Sequence, residues 1–122
     1  MDLTVVSVGG QGDQKGEYVA LRAKEDCNLS GYMIFDETYK NDGSASNKHR
    51  HVFIFPNWTV KKDEYIFLFT RSGKNERGMT QKQTPASYFY WGLKSSVWNE
   101  GGDKVHLIKT ASATAFKVPS VA

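Results

Sequence analysis

The feature that most constrains this chain is the brevity of its apolar runs. Short stretches of Val, Ile, Leu, Tyr and Phe are repeatedly closed by Gly, Asn, Asp, Ser or Pro, the punctuation of β-strands rather than helices. The first run, Leu3–Val8, ends at Gly9-Gly10. In the second, Glu17–Lys24, strict alternation puts Val19, Leu21 and Ala23 on one face and Tyr18, Ala20 and Arg22 on the other. Tyr32–Asp36 follows the turn-forming Asn28-Leu29-Ser30-Gly31, and Arg50–Phe55 is stopped by Pro56, which has no N–H for a ladder. Glu64–Thr70, a strand within Tyr88–Trp91, Lys104–Thr110 after Gly101-Gly102-Asp103, and a weaker Ala115–Val118 before Pro119 complete the series. No window has helical spacing. Seven to eight short strands predict an all-β domain, in which two antiparallel layers share a core because such strands cannot bury themselves alone.

Size and composition agree with that reading. A chain of 122 residues suits one domain spanning residues 1–122. Sixteen aromatics and 39% hydrophobic residues supply a core, and 24% charged residues is an ordinary share for a folded chain. The single cysteine excludes an intrachain disulfide and an all-cysteine zinc site, but is compatible with reducing and oxidising compartments alike. No apolar run approaches the roughly 20 residues of a spanning helix, so membrane insertion is not expected. The opening MDLTVVSVGG lacks the basic flank of a secretory leader. Oligomeric state is not legible.

Two strands are apolar on both faces. Tyr65, Phe67 and Phe69 alternate with Ile66 and Leu68, while Phe53 and Phe55 alternate with Val52 and Ile54. One face of each belongs to the core; the other must be covered by a loop, a terminus or a partner. Tyr65, Phe67, Phe69, Tyr88 and Tyr90 are therefore candidates for a partner-binding face. Two polar stretches, Thr38–Lys48 and Arg71–Ser87, read as long loops, the second with almost no apolar content; they are the alternative cover.

Charge is unevenly spread. Residues 1–47 hold 4 bases and 8 acids, residues 48–82 hold 8 bases and 3 acids, and residues 83–122 hold 4 bases and 2 acids. Lys48, Arg50, Lys61, Lys62, Arg71, Lys74 and Arg77 are the candidates for a phosphate-contacting surface, with nothing that points to base readout. The competing reading is a set of solvated loops, since a net charge of +3 is a weak field.

No motif announces chemistry. Lys48-His49-Arg50-His51 sets two imidazoles on one strand face, and a metal there would need a third ligand from His106 or Asp103. Asn41–Asn47 carries oxygen side chains but lacks the carboxylate density of a calcium loop. Cys27 lies beside Glu25 and Asp26, acids that blunt a thiol. Asp36 and Glu37 are adjacent, so on a strand they diverge and make no acid–base couple. Nucleophile elbow, phosphate loop and HExxH are all missing. No catalytic, cofactor or metal residue is therefore assigned, and a non-catalytic role is expected.

Four segments, in order, resemble the lamin tail domain family: Glu17–Arg22 followed by Leu29-Ser30-Gly31-Tyr32; His51–Pro56; Asp63–Ile66; and Val97–Leu107. The match spans about residues 3–110, leaving 111–122 as a terminal strand and tail. Tyr32 replaces the family's usual Trp, Asp63 its usual Gly, and Lys109–Ala113 its closing hairpin. The resemblance implies an immunoglobulin-like antiparallel β-sandwich without a disulfide. It also implies an interaction or tethering module, of bacterial type or excised from a longer chain, and so compatible with an extracytoplasmic setting. The expected partner is a protein. The alternatives are nonspecific nucleic-acid or polyanion binding through residues 48–82, and an accessory role beside a nuclease- or phosphoesterase-like domain. In this reading Gly31 and Gly102 serve turns, Asp103 bonds its own turn, and Trp98 anchors the core if its indole N–H finds an acceptor.

Overall fold

A computed structural model describes residues 1–36, 51–98 and 104–120. The protein is an all-β sandwich, with no helix among the described residues. Its strands are β1 (Leu3–Gly9), β2 (Tyr18–Ala23), β3 (Cys27–Asn28), β4 (Tyr32–Phe35), β5 (Val52–Ile54), β6 (Thr59–Val60), β7 (Tyr65–Phe69), β8 (Glu76–Met79), β9 (Pro85–Tyr90) and β10 (His106–Lys109). They form a five-stranded sheet ordered β1-β2-β7-β9-β8, a three-stranded sheet ordered β10-β4-β5, and the pair β3-β6.

There are thus ten strands rather than seven or eight, and the layers are not wholly antiparallel. Strands β7 and β9 run parallel, from Tyr65 opposite Ala86 to Phe69 opposite Tyr90. The cause is β8, which lies in the stretch expected to be a structureless loop. The chain leaves β7, forms β8 on the sheet edge, and turns back so that β9 inserts between them. All four residues of β8 are exposed, so no apolar alternation marked it. A tight turn closes this hairpin. The Thr80 amide donates to the Thr84 carbonyl, and the Thr80 hydroxyl accepts from the amides of Lys82 and Thr84. Pro85 is tolerated as the first residue of its strand. The expected strand at Ala115–Val118 does not form; that segment is extended and exposed, with Phe116 86% accessible.

Period-two alternation decides what is inside. Val19, Leu21 and Ala23 of β2 and Ile66 and Leu68 of β7 are buried against Tyr32 and Ile34 of β4 and Phe55 after β5. Phe89 of β9 is fully buried, its ring edge-on to Phe55 at 5.2 Å and to Trp58 at 5.0 Å. Two turn residues carry positive φ: Gly31 at 91°, as its place after Leu-Ser suggested, and Asp63 at 70°. Aspartate is among the few residues that tolerate this region, so Asp63 adopts the conformation for which glycine is the usual choice.

Glu17 is fully buried at the entry to β2. Its Oε2 accepts hydrogen bonds from the Thr70 hydroxyl, the Val97 amide at 2.8 Å and the Trp98 amide at 3.3 Å. Its Oε1 accepts from the Gly12 amide at 3.3 Å. Four segments distant in sequence meet on one carboxylate. Trp98 is held in the core as expected, only 3% exposed, but its Nε1 has no acceptor among the described residues. The backbone amides, rather than the indole N–H, fix this segment.

Glu17→Gln turns an all-acceptor group into one that presents a donor to donors. It is expected to lower stability to urea by about 1–3 kcal/mol, whereas Thr70→Val, which removes one bond, costs about 1 kcal/mol. Equal urea midpoints for Glu17→Gln and the parent would show that the carboxylate is not an anchor.

Candidate functional site

The outer face of the five-stranded sheet carries a field of aromatic rings. Because Ile66 and Leu68 turn inward, Tyr65, Phe67 and Phe69 turn outward, all half-buried. Register then fixes their neighbours: Phe67 lies between Ala20 and Tyr88, and Phe69 between Tyr18 and Tyr90. Offset stacking joins them. Tyr65 and Phe67 are 6.2 Å apart with planes 18° apart, Phe67 and Tyr88 are 5.4 Å and 15°, and Phe69 and Tyr90 are 5.5 Å and 16°. Tyr18, which the sequence placed on this face but not among the partner candidates, meets Phe67 edge-on at 5.7 Å. Cross-strand aromatic pairs of this kind each contribute on the order of 0.5–1.5 kcal/mol beyond burial, which allows the face to hold its shape while partly in water.

Glycines make room for the rings. A Cβ on Gly9 would lie 2.4 Å from the Tyr18 ring, one on Gly73 2.5 Å from Tyr90, and one on Gly78 3.1 Å from Tyr88. The hairpin turn at 80–84 rises beside the field and makes a groove of about 500 Å³. Its floor is Tyr18, Tyr65, Phe67, Phe69 and Tyr88; its wall is Thr80, Gln81, Lys82 and Thr84. Arg71 caps the far end of the field, its guanidinium 4.3 Å from the centre of the Phe69 ring and bonded to the Lys15 carbonyl.

All five partner-face candidates are therefore brought together. The basic candidates are not. Arg71 lies on the aromatic face. Lys61 and Arg77 line a separate groove of about 370 Å³ with Asp26 and Glu64, where Arg77 stacks over Trp58 at 4.5 Å and Lys61 faces Asp26 at 3.9 Å. Lys62 and Lys74 are exposed. Lys48 and Arg50 lie outside the described residues, as do His49, Asp103, Gly102 and the loop at 38–48. Of the metal candidates, His51 is bonded through Nδ1 to Asp36 at 3.0 Å, and the His106 ring stacks on Phe35 at 4.9 Å. No three metal-ligating side chains cluster among the described residues. The second exposed apolar surface is aliphatic: Phe53 and Phe55 pack inward from the other sheet, leaving Val52 and Ile54 47% and 67% accessible.

The Cys27 thiol titrates above its ordinary range. Burial is the main cause, the Asp2 carboxylate adds to it, and Lys109 opposes it; Asp26 contributes less than Asp2. Reactivity follows the thiolate, so iodoacetamide should alkylate Cys27 more slowly at pH 8 than a free model thiol. Asp2→Asn should raise the rate, and an unchanged rate would remove Asp2 as a cause. For the aromatic field, Gly9→Ala is expected to displace the Tyr18 ring and lower stability by about 1 kcal/mol. In a Tyr18→Ala background the same change should be close to neutral in urea unfolding, a coupling that a backbone effect alone would not produce.

No helix among the described residues is long and apolar enough to cross a membrane. Comparison with curated proteins finds no match. The family described as TP_1001_2nd, protein second domain, matches residues 2–88, from β1 into β9, and so covers both strands that carry the aromatic field. This chain belongs to the TP_1001 second-domain family.

Proposed function

We propose that this chain is a non-catalytic binding module of lamin-tail type that holds a protein partner on the outer face of its five-stranded sheet. The observation that carries the reading is the half-exposed ring field of Tyr18, Tyr65, Phe67, Phe69, Tyr88 and Tyr90. Contiguous apolar surface of this kind, rimmed by polar residues, is the usual mark of a contact surface. The four segments shared with lamin tails support the same reading. A family described as a second domain accords with a module that works beside others. The polyanion alternative has less support: Lys61 and Arg77 share a groove with two carboxylates, while Arg71 is committed to Phe69.

A random-peptide display library, selected at high salt, tests the proposal. The parent chain is expected to enrich binders that Phe67→Ser and Tyr90→Ser no longer retain, both variants being first shown folded by circular dichroism. Joint charge reversal at Lys61 and Lys62 should leave retention unchanged. Equal enrichment by the face variants would overturn the reading. Retention of oligonucleotide that falls steeply with salt and with the two lysine reversals would favour the polyanion alternative.

A further inference from the structure

The groove on this face has a one-sided chemistry that narrows what it can hold. Its floor offers ring surface, with Phe67 and Phe69 contributing no polar atom. The polar groups around it are chiefly donors. Lys82 donates only. The hydroxyls of Tyr18 and Tyr65 make no hydrogen bond among the described residues, and Gln81 is exposed. The hydroxyls of Thr80 and Thr84 are spent on each other, and that of Tyr88 donates to the Met79 carbonyl at 2.7 Å. No carboxylate lines the groove. A sugar, rich in hydroxyl donors, would find few acceptors and would be desolvated at a cost. A nucleic-acid strand would find one lysine in the lining, and Glu76 on the same face, opposite Tyr88.

A proline-rich segment fits the opposite description. It has apolar rings, carbonyl acceptors and no N–H at proline, so it needs donors and little else. It also fits by dimension. In its left-handed three-residue helix, residues i and i+3 are about 9.3 Å apart. Two strand spacings of about 4.8 Å separate β2 from β9 across β7. One turn of such a segment, crossing the strands, therefore sets successive prolines over Tyr18 and over Tyr88, with Phe67 and Phe69 between.

We infer that this groove takes a proline-rich segment of a protein partner, in extended left-handed helical form, with an acidic residue of that segment beside Lys82. The inference rests on the reading of the aromatic face as the binding surface. Preformed helices of this type lose little entropy on docking, and stacked aromatic grooves are suited to them.

The test uses a decaproline peptide ending in glutamate, titrated into the full chain and followed by tyrosine fluorescence and amide chemical shifts. Its counterparts have alternate prolines replaced by alanine, or the glutamate replaced by glutamine; oligo-dT and a cello-oligosaccharide are separate arms. The proline peptide is expected to bind about tenfold more tightly than the alanine peptide, with shifts at Tyr18, Tyr65 and Tyr88. Folded Phe67→Ser should abolish binding. Lys82→Ala should weaken it about threefold, and that loss should vanish with the glutamine peptide, as a direct pair requires. Equal binding of the alanine peptide, tighter binding of oligo-dT or glycan, or no shift at millimolar peptide would overturn the inference. Proline-poor library binders that still depend on Phe67 would remove the ligand class and leave the face as a binding surface. Library binding that ignores Phe67→Ser would remove both.

Discussion

Strand β7 is apolar on both sides, and only one side can be covered by the second sheet. That constraint organises the molecule. The branched aliphatics Ile66 and Leu68 go inward, where they pack without voids against Tyr32, Ile34 and Phe89. The rings of Tyr65, Phe67 and Phe69 go outward, where a ring can stack on its cross-strand neighbour and shed part of its exposure. Strand β5 makes the reverse choice, sending Phe53 inward and Val52 and Ile54 to water. The difference follows from neighbours. Phe53 faces Phe55, Phe89 and Trp91 across the core, whereas the rings of β7 find partners on β2 and β9 within their own sheet.

The insertion of β9 beside β7 is what completes the ring field. Had the chain returned from β7 by a simple hairpin, β8 would be its neighbour, and β8 offers Glu76, Arg77 and Gly78 in place of Tyr88 and Tyr90. The edge excursion lets the aromatic strand occupy the centre of the sheet and leaves a polar strand at the rim. Polar, charged edges resist pairing with other chains. The same strand supplies Gly78, whose missing side chain gives Tyr88 its place, and the 80–84 turn that walls the groove.

How much of this the sequence discloses depends on which force acts at each residue. Burial alternates with period two, so the inward set of β2 and the two-faced character of β7 are legible from residue types alone. Where a strand is held only by backbone pairing, nothing in its side chains reports it. Glu76–Met79, Cys27–Asn28 and Thr59–Val60 were missed for that reason. Ala115–Val118 has the alternation without a partner, and so stays unpaired. The basic candidates separate because parity along the strands separates them. Arg71 stands two residues after Phe69 and shares its side, while Arg77 opposes Ser87 and lies toward Trp58. The role of Glu17 has no local signature, since its partners Thr70, Val97 and Trp98 lie 53 to 81 residues away. A lone acid opening a strongly apolar strand was the one available hint.

The ring field also accounts for how a sheet face can remain open without collapsing onto another copy. Isolated glycines in strands cost about 0.5–1 kcal/mol each relative to alanine, and the sheet carries them at Gly9, Gly73 and Gly78, against Tyr18, Tyr90 and Tyr88. Those costs are offset by rings that lie close against the backbone instead of projecting from it. A face built in this way is already ordered before anything docks, because each ring is held by its neighbours and Arg71 closes one end. A partner then meets a fixed surface and loses only its own freedom, so affinity is governed by how stiff that partner is when free.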